Sequence, residues 1–217
     1  LSQRKWLSFY AEQFSTVEIN NSFYVSVKPE TYEKWYRETP GDFVFTIKGH
    51  RYITQFRKLK DVEEPVELFF SGVFRLEDKL KCILWQFPRN FSYSEEHHIR
   101  LETFLKLLPQ NIEHAFEFRE EGWFREDVRL LLAGNNSSLV ISSSQDFPEF
   151  ELPVNFSYLR FHGPKGLYSS SYSLEELNSW AEKIKEFKKH GNVYAYFNND
   201  AYGYAPQNAK SLIELLS

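Results

Sequence analysis

The sequence predicts an α/β fold, a TIM-barrel-like (β/α) barrel with seven strands present and the first strand missing. Three observations predict it. Stretches of period two alternate with stretches of period 3.6 along the whole chain, the pattern of a parallel sheet with helical crossovers. Right-handed crossovers leave a closed barrel or an open doubly wound sheet, and no Gly-x-Gly-x-x-Gly follows a strand to favour the open form. The chain also starts with a helix that no strand precedes, and one more βα unit would make the eight strands of a barrel. On this reading residues 1–217 are a single barrel domain, incomplete at its N-terminus.

The elements follow in order. Trp6, Leu7, Tyr10 and Phe14 have helical spacing, and Thr16-Val17-Glu18-Ile19-Asn20 alternates as a strand. Pro29 suits the first turn of a helix carrying Tyr32, Trp35 and Tyr36, which Pro40-Gly41 ends. Strand Phe43 to Lys48 comes next. Asp61 with Glu64 reads as a capping box before a helix bearing Val66, Phe69, Phe70, Val73 and Leu76. Strand Cys82 to Phe87 precedes a helix from Glu95 to Leu108. Strand His114 to Arg119 precedes a helix from Phe124 to Leu132 that stops at Gly134. Strand Leu139 to Ser143 runs into an irregular stretch with Pro148 and Pro153. Strand Tyr158 to His162 follows, then a capping box of Ser173 and Glu176 opening a helix with Leu177, Trp180, Ile184 and Phe187. Gly191, strand Val193 to Asn198 and a helix after Pro206 complete the chain.

Composition narrows the function. A formal charge of −4 argues against a protein whose main work is coating nucleic acid. No run approaches the roughly 18 apolar residues of a membrane-spanning helix. Cys82 is the only cysteine, so there is no internal disulfide, which favours a reducing, cytoplasmic compartment. Cys82 itself reads as a small apolar residue of a buried strand. The chain has no methionine, even at position 1, which suggests a piece of a longer one. Its 21 Phe, 13 Tyr and 5 Trp read mainly as core rings.

Barrel interiors are normally filled with Val, Ile and Leu. Here one parity of the strands is apolar and the other polar: Glu18, Thr46 and Lys48, Gln86, Glu117 and Arg119, Arg160 and His162, then Asn198. Successive strand residues face opposite sides, so the apolar set should pack on helices and the polar set should face the barrel axis. Unpaired buried charges cost several kcal/mol each. These groups must therefore form a satisfied ion-pair network or a site at the strands' carboxyl ends. Six strands each delivering a polar group favour the site.

Several motifs resemble the YecE-like family, number seventy-two among the domains of unknown function. They are Thr16-Val17-Glu18-Ile19-Asn20 with Phe23-Tyr24, Lys48-x-x-Arg51-Tyr52-Ile53-Thr54, Trp85-Gln86-Phe87-Pro88, and Phe116-Glu117-Phe118-Arg119 with Trp123. Arg160-Phe161-His162-Gly163 with Tyr168, and Tyr196-Phe197-Asn198-Asn199-Asp200 with Gly203-Tyr204-Ala205, complete the match. The resemblance implies a TIM-barrel-like fold and a first strand with a Gly-Ser-Gly-Trp-like motif, which this chain lacks. It supplies no established activity. Where the family resembles Ala-Asp-Ser, this chain has Ser142-Ser143-Ser144, without the acid.

The candidate catalytic residues are Glu18, Glu117 and His162. The candidate ligand-binding residues are Asn20, Lys48, Arg51, Gln86, Arg119, Trp123, Arg160, Tyr168, Asn198, Asn199 and Asp200. The leading reading is a small anionic or polyhydroxylated ligand, such as a phosphate ester, held by the basic groups with a glutamate as general base. Gly163-Pro164-Lys165-Gly166 is a loop where barrels often hold phosphate. One alternative is nucleic acid, with Tyr168, Tyr172 and Tyr202 stacking on bases. Another is paired-carboxylate chemistry by Glu18 and Glu117. A third is metal-assisted hydrolysis or isomerisation using Glu18, Glu117, His162 and Asp200. No cofactor motif is evident, and the neighbouring basic groups disfavour a divalent metal.

Overall fold

In a computed structural model, which describes residues 5–143, 155–165 and 168–217, the chain carries seven strands. They are β1 (Thr16–Ile19), β2 (Val44–Lys48), β3 (Leu80–Gln86), β4 (Glu113–Glu117), β5 (Ser137–Ser142), β6 (Ser157–Phe161) and β7 (Val193–Phe197). Helices α1 (Trp6–Ala11), α2 (Asn21–Tyr24), α3 (Pro29–Glu38), α4 (Glu63–Val73), α5 (Glu95–Leu107), α6 (Glu126–Ala133), α7 (Leu174–Phe187) and α8 (Tyr204–Leu216) lie between or beside them. Strand pairing is parallel, from β1 to β3 and from β5 to β7. The fold is α/β and TIM-barrel-like, as the alternating periods predict. The chain forms two compact units, Leu1–Phe116 and Glu117–Ser217.

In the first unit β1, β2, β3 and β4 as far as Phe116 are ordered as in the chain, and Glu117, the last residue of β4, opens the second unit. Trp85 is fully buried, its ring 4.9 Å from Phe104 on α5 and 5.5 Å from Phe69 on α4. This apolar parity of β3 therefore packs on helices, as expected. On the other parity Thr46 pairs with Cys82, and Lys48 with Leu84. Cys82 is buried, and burial pushes its thiol well above the usual range, so it behaves as a small apolar residue. Lys79 is also buried. Its ammonium donates to the carbonyls of Tyr36 (2.6 Å) and Thr39 (2.8 Å) and lies over the Tyr36 ring, so α3 is fastened to the start of β3.

In the second unit β5, β6 and β7 are again in chain order. Ile141, Leu159 and Phe161 form a core with Leu177, Ala181 and Ile184 of α7 and Leu212 of α8. The opposite parity carries Tyr158, Arg160, Tyr194 and Tyr196, with the Tyr158 ring 5.3 Å from Tyr196. That face is thus aromatic at depth and charged only towards the carboxyl ends of the strands.

Local signals fared unevenly. The Ser173–Glu176 capping box forms, with both of its hydrogen bonds. The Asp61–Glu64 box does not. Asp61 has a positive φ of 49° and accepts from Arg57, so α4 starts after Val62 with no side-chain cap. Leu76 falls outside α4, in a 3-10 segment, Phe74–Lys79, that breaks at Glu77. The last helix starts at Tyr204, ahead of Pro206, because a proline is tolerated in the first turn, where N–H groups lack helical partners. Three short elements carried no sequence signal: α2, a 3-10 turn, Glu121–Trp123, and a π-helix, Tyr52–Phe56, closed by Arg57 N–H donating to the Tyr52 carbonyl. Residues 1–4, the Pro148 and Pro153 stretch, Ser144 and Gly166 lie outside the described residues. Among those described, no helix is long and apolar enough to cross a membrane.

His114 sits beside Trp85. The Trp85 indole N–H donates to His114 Nδ1 (3.3 Å), and the Pro109 carbonyl accepts from Nε2 (3.0 Å). This fixes the neutral tautomer, and burial lowers the pKa from 6.5 to about 4. Below pH 6.5 the unfolded chain takes up a proton that the folded ring refuses. Stability should therefore fall as pH drops from about 6.5 to about 4, by roughly 3 kcal/mol. An NMR titration of the His114 ring should give a midpoint near 4. A midpoint near 6.5 would show that the fold does not hold the ring neutral.

Candidate functional site

Each unit brings part of the expected set together. In the second unit Arg160 follows Leu159 and precedes Phe161, both of which face the helices, so its side chain takes the opposite face, where β4 ends in Glu117. Arg160 Nη1 donates to Glu117 Oε2 at 2.5 Å, with the two side chains 3% and 2% exposed. Arg119 Nη2 approaches the other oxygen, Oε1, at 3.4 Å, and His162 Nε2 lies 4.0 Å from the same atom. The parity argument holds here: Glu117, Arg160 and His162 share one buried face. Arg119 differs from its neighbours, because 27% of its side chain is exposed. Its Nε is buried without a hydrogen-bond partner among the described residues.

The loops after β6 and β7 frame this cluster. Tyr168 has a positive φ of 67°, is 40% exposed and sets its ring edge-on to His162 at 5.3 Å. Its N–H donates to the His162 carbonyl, and its own carbonyl accepts from Ala201. The backbone N–H of Asn198 donates to the Phe161 carbonyl, and its Oδ1 is buried without a partner among the described residues. Asn199 is fully buried and donates to the Ser170 carbonyl (2.8 Å) and to Asn208 Oδ1 (2.9 Å), so it ties the loop to α8. Asp200 is exposed.

Two expectations are corrected. Trp123 is fully buried and stacked on Phe118 at 4.4 Å and 6°, so it is a core ring and offers no face to a ligand. Tyr172 is buried too. Its hydroxyl is bonded to Ser143 and accepts from Gly163 N–H, so it cannot stack on a base. Among the described residues no three His, Cys, Asp or Glu side chains gather to hold a metal ion.

In the first unit Asn20 donates to Glu18 Oε1 at 2.9 Å where β1 ends. Burial, and then the Glu18 charge, push the Tyr10 hydroxyl up to about 12. Lys48 is 5% exposed, with its ammonium 4.2 Å from the centre of the Phe23 ring. Gln86 is buried, and its carbonyl accepts from Gln55. Arg51 has its guanidinium 5.5 Å from the Tyr24 ring and 5.4 Å from the Phe56 ring, both of them exposed. Tyr24 and Phe56 were not foreseen as clamp residues. They come from two of the short elements that periodicity is too coarse to find.

A profile of the family described as protein of unknown function DUF72 matches residues 1–217. The UPF0759 protein YunF of Bacillus subtilis (strain 168) is 27% identical over 248 residues, spanning 99% of this chain and 87% of that protein. The UPF0759 protein YecE of Escherichia coli (strain K12) is 29% identical over 118 residues, 54% of this chain and 43% of that protein. The crystal structure of a DUF72 family protein from Thermotoga maritima MSB8 matches with a TM-score of 0.87 at 29% identity, covering 100% of this chain and 90% of that one. The fold alone is shared with PbGH5A, a glycoside hydrolase family 5 enzyme from Prevotella bryantii B14, at a TM-score of 0.53 and 10% identity over 100% of this chain and 86% of that one.

Proposed function

The chain belongs to the DUF72 family of proteins of unknown function, and from that premise we propose that the carboxyl ends of its strands bind a small anionic, phosphate-bearing or polyhydroxylated ligand. Arg119 carries this reading: a half-buried guanidinium, loosely held by Glu117, with a buried Nε that has no partner among the described residues. A phosphate or carboxylate supplies the acceptors that such a group lacks. Arg160 and Glu117 act as its scaffold, since their short ion pair fixes both side chains. If the ligand is also processed, Glu117 and His162 are the groups to move a proton in the second unit, and Glu18 is the group to do so in the first. Arg51, clamped between two exposed rings, is a second guanidinium for the same ligand class.

A thermal-shift screen of inorganic phosphate and sugar phosphates tests the reading. The best ligand should lose about 1.5 to 3 kcal/mol of binding in Arg119→Ala, while the unliganded variant keeps nearly wild-type stability. An unchanged affinity in Arg119→Ala, or no stabilisation by any phosphate, would overturn it. The exposed rings of Tyr168 and Tyr202 support a second reading, single-stranded nucleic acid. An oligonucleotide whose affinity falls steeply with salt would favour that instead.

A further inference from the structure

The first unit holds a cavity of about 480 Å³ that none of the groups above explains. Its walls come from the segment between β1 and α3, the start of the π-helix and one side of α4. Apolar side chains dominate, among them Val25, Tyr32, Ile53, Leu68 and Phe69. The size lies within the range of about 300 to 1,000 Å³ typical of small-molecule sites. Leu68 and Val25 are 68% and 49% exposed, apolar surface that a ligand would take out of water. Single π-turns are also frequent at functional sites.

Few polar groups remain available on these walls. The hydroxyl of Ser22 donates to the carbonyls of Ile19 and Lys48, and that of Ser71 to Leu68. Lys28 and Glu64 are of opposite sign and give the lining no net charge. His50 stands apart. Its Nδ1 accepts the N–H of Tyr52 at 3.2 Å, so the proton of the neutral ring sits on Nε2. Burial first, and then the Arg51 charge, hold His50 below its ordinary pKa, which keeps that neutral ring dominant at neutral pH. We propose that this cavity binds an uncharged, largely apolar small molecule with one carbonyl-type acceptor, which takes the Nε2–H of His50. None of the residues that line the cavity is among those offered for the anion, so the two readings stand or fall separately.

Acetophenone and ethylbenzene are a matched probe pair, alike in ring and size, with and without the carbonyl. Titrated into the full chain and followed by NMR, acetophenone should shift the His50 ring and the methyls of Val25, Ile53 and Leu68. It should bind about threefold to tenfold more tightly than ethylbenzene, the worth of one neutral hydrogen bond. His50→Phe should bring that ratio to about one while ethylbenzene still binds. Ser26→Trp, at an exposed wall position, should block both probes with the melting temperature unchanged. Equal wild-type affinities, shifts confined to other residues, or no binding of either probe up to its solubility limit would overturn the proposal.

Discussion

Glu117→Ala is expected to destabilise the protein by about 3 to 5 kcal/mol, the usual result of removing one partner of a buried ion pair. Arg160 is 3% exposed and donates to this carboxylate at 2.5 Å, so the variant leaves its guanidinium buried beside a void. Desolvation makes that costly, because water can no longer hydrate the charge. For a chain of this size the loss corresponds to a fall of roughly 6 to 20 °C in melting temperature. Glu117→Gln should lie between, since an amide oxygen still accepts from Arg160 but brings no charge. Arg119→Ala should cost little, because its side chain is partly solvated and its bond to Glu117 is long. Urea unfolding of the three variants checks the order. A loss below about 1 kcal/mol for Glu117→Ala would mean that the pair is not desolvated in solution.

A comparable loss, about 3 to 5 kcal/mol, is expected for Trp85→Ala. The ring is fully buried against Phe69, Phe70 and Phe104, and its N–H serves His114. Truncation therefore removes apolar burial, opens a void too well walled to collapse, and leaves His114 Nδ1 without its donor. Gly49 gives an independent check. A β-carbon there would come within 2.2 and 2.3 Å of two carbons of the Trp85 ring, so Gly49→Ala should cost about 1 to 3 kcal/mol by overpacking. In the Trp85→Ala background that penalty should largely vanish. A double-mutant cycle that shows simple additivity would mean the ring does not lie over Gly49.

What the sequence discloses depends on the scale of the signal. The strands were legible because Leu159, Arg160 and Phe161, or Thr46, Ile47 and Lys48, alternate under a period-two constraint that packing enforces. The same alternation led to the Glu117–Arg160–His162 cluster, since only residues of one parity can meet on one face. It misled about depth, because the Arg160 face is tyrosine-lined below the charges. It was silent about Trp123, whose stacking on Phe118 depends on a turn of three residues. The Asp61 box failed for a similar reason: its spacing was right, but a left-handed backbone at Asp61 redirects the chain. The cavity around His50 escaped because its walls come from three segments, none of them distinctive alone.

The division of β6 between two unlike faces also bears on how reliably the strand finds its place. Parallel strands pair late and slowly, and a slip of one residue turns every side chain over. In β6 such a slip would drive Arg160 beneath α7 and turn Leu159 and Phe161 towards Glu117. Charge would then be stranded against Leu177 and Ile184, and the carboxylate would face hydrocarbon. A strand apolar on both sides would pay little for the same mistake. The buried Arg160–Glu117 pair thus adds an electrostatic penalty to a slipped β6, and that penalty is the same whether or not a ligand occupies the finished fold.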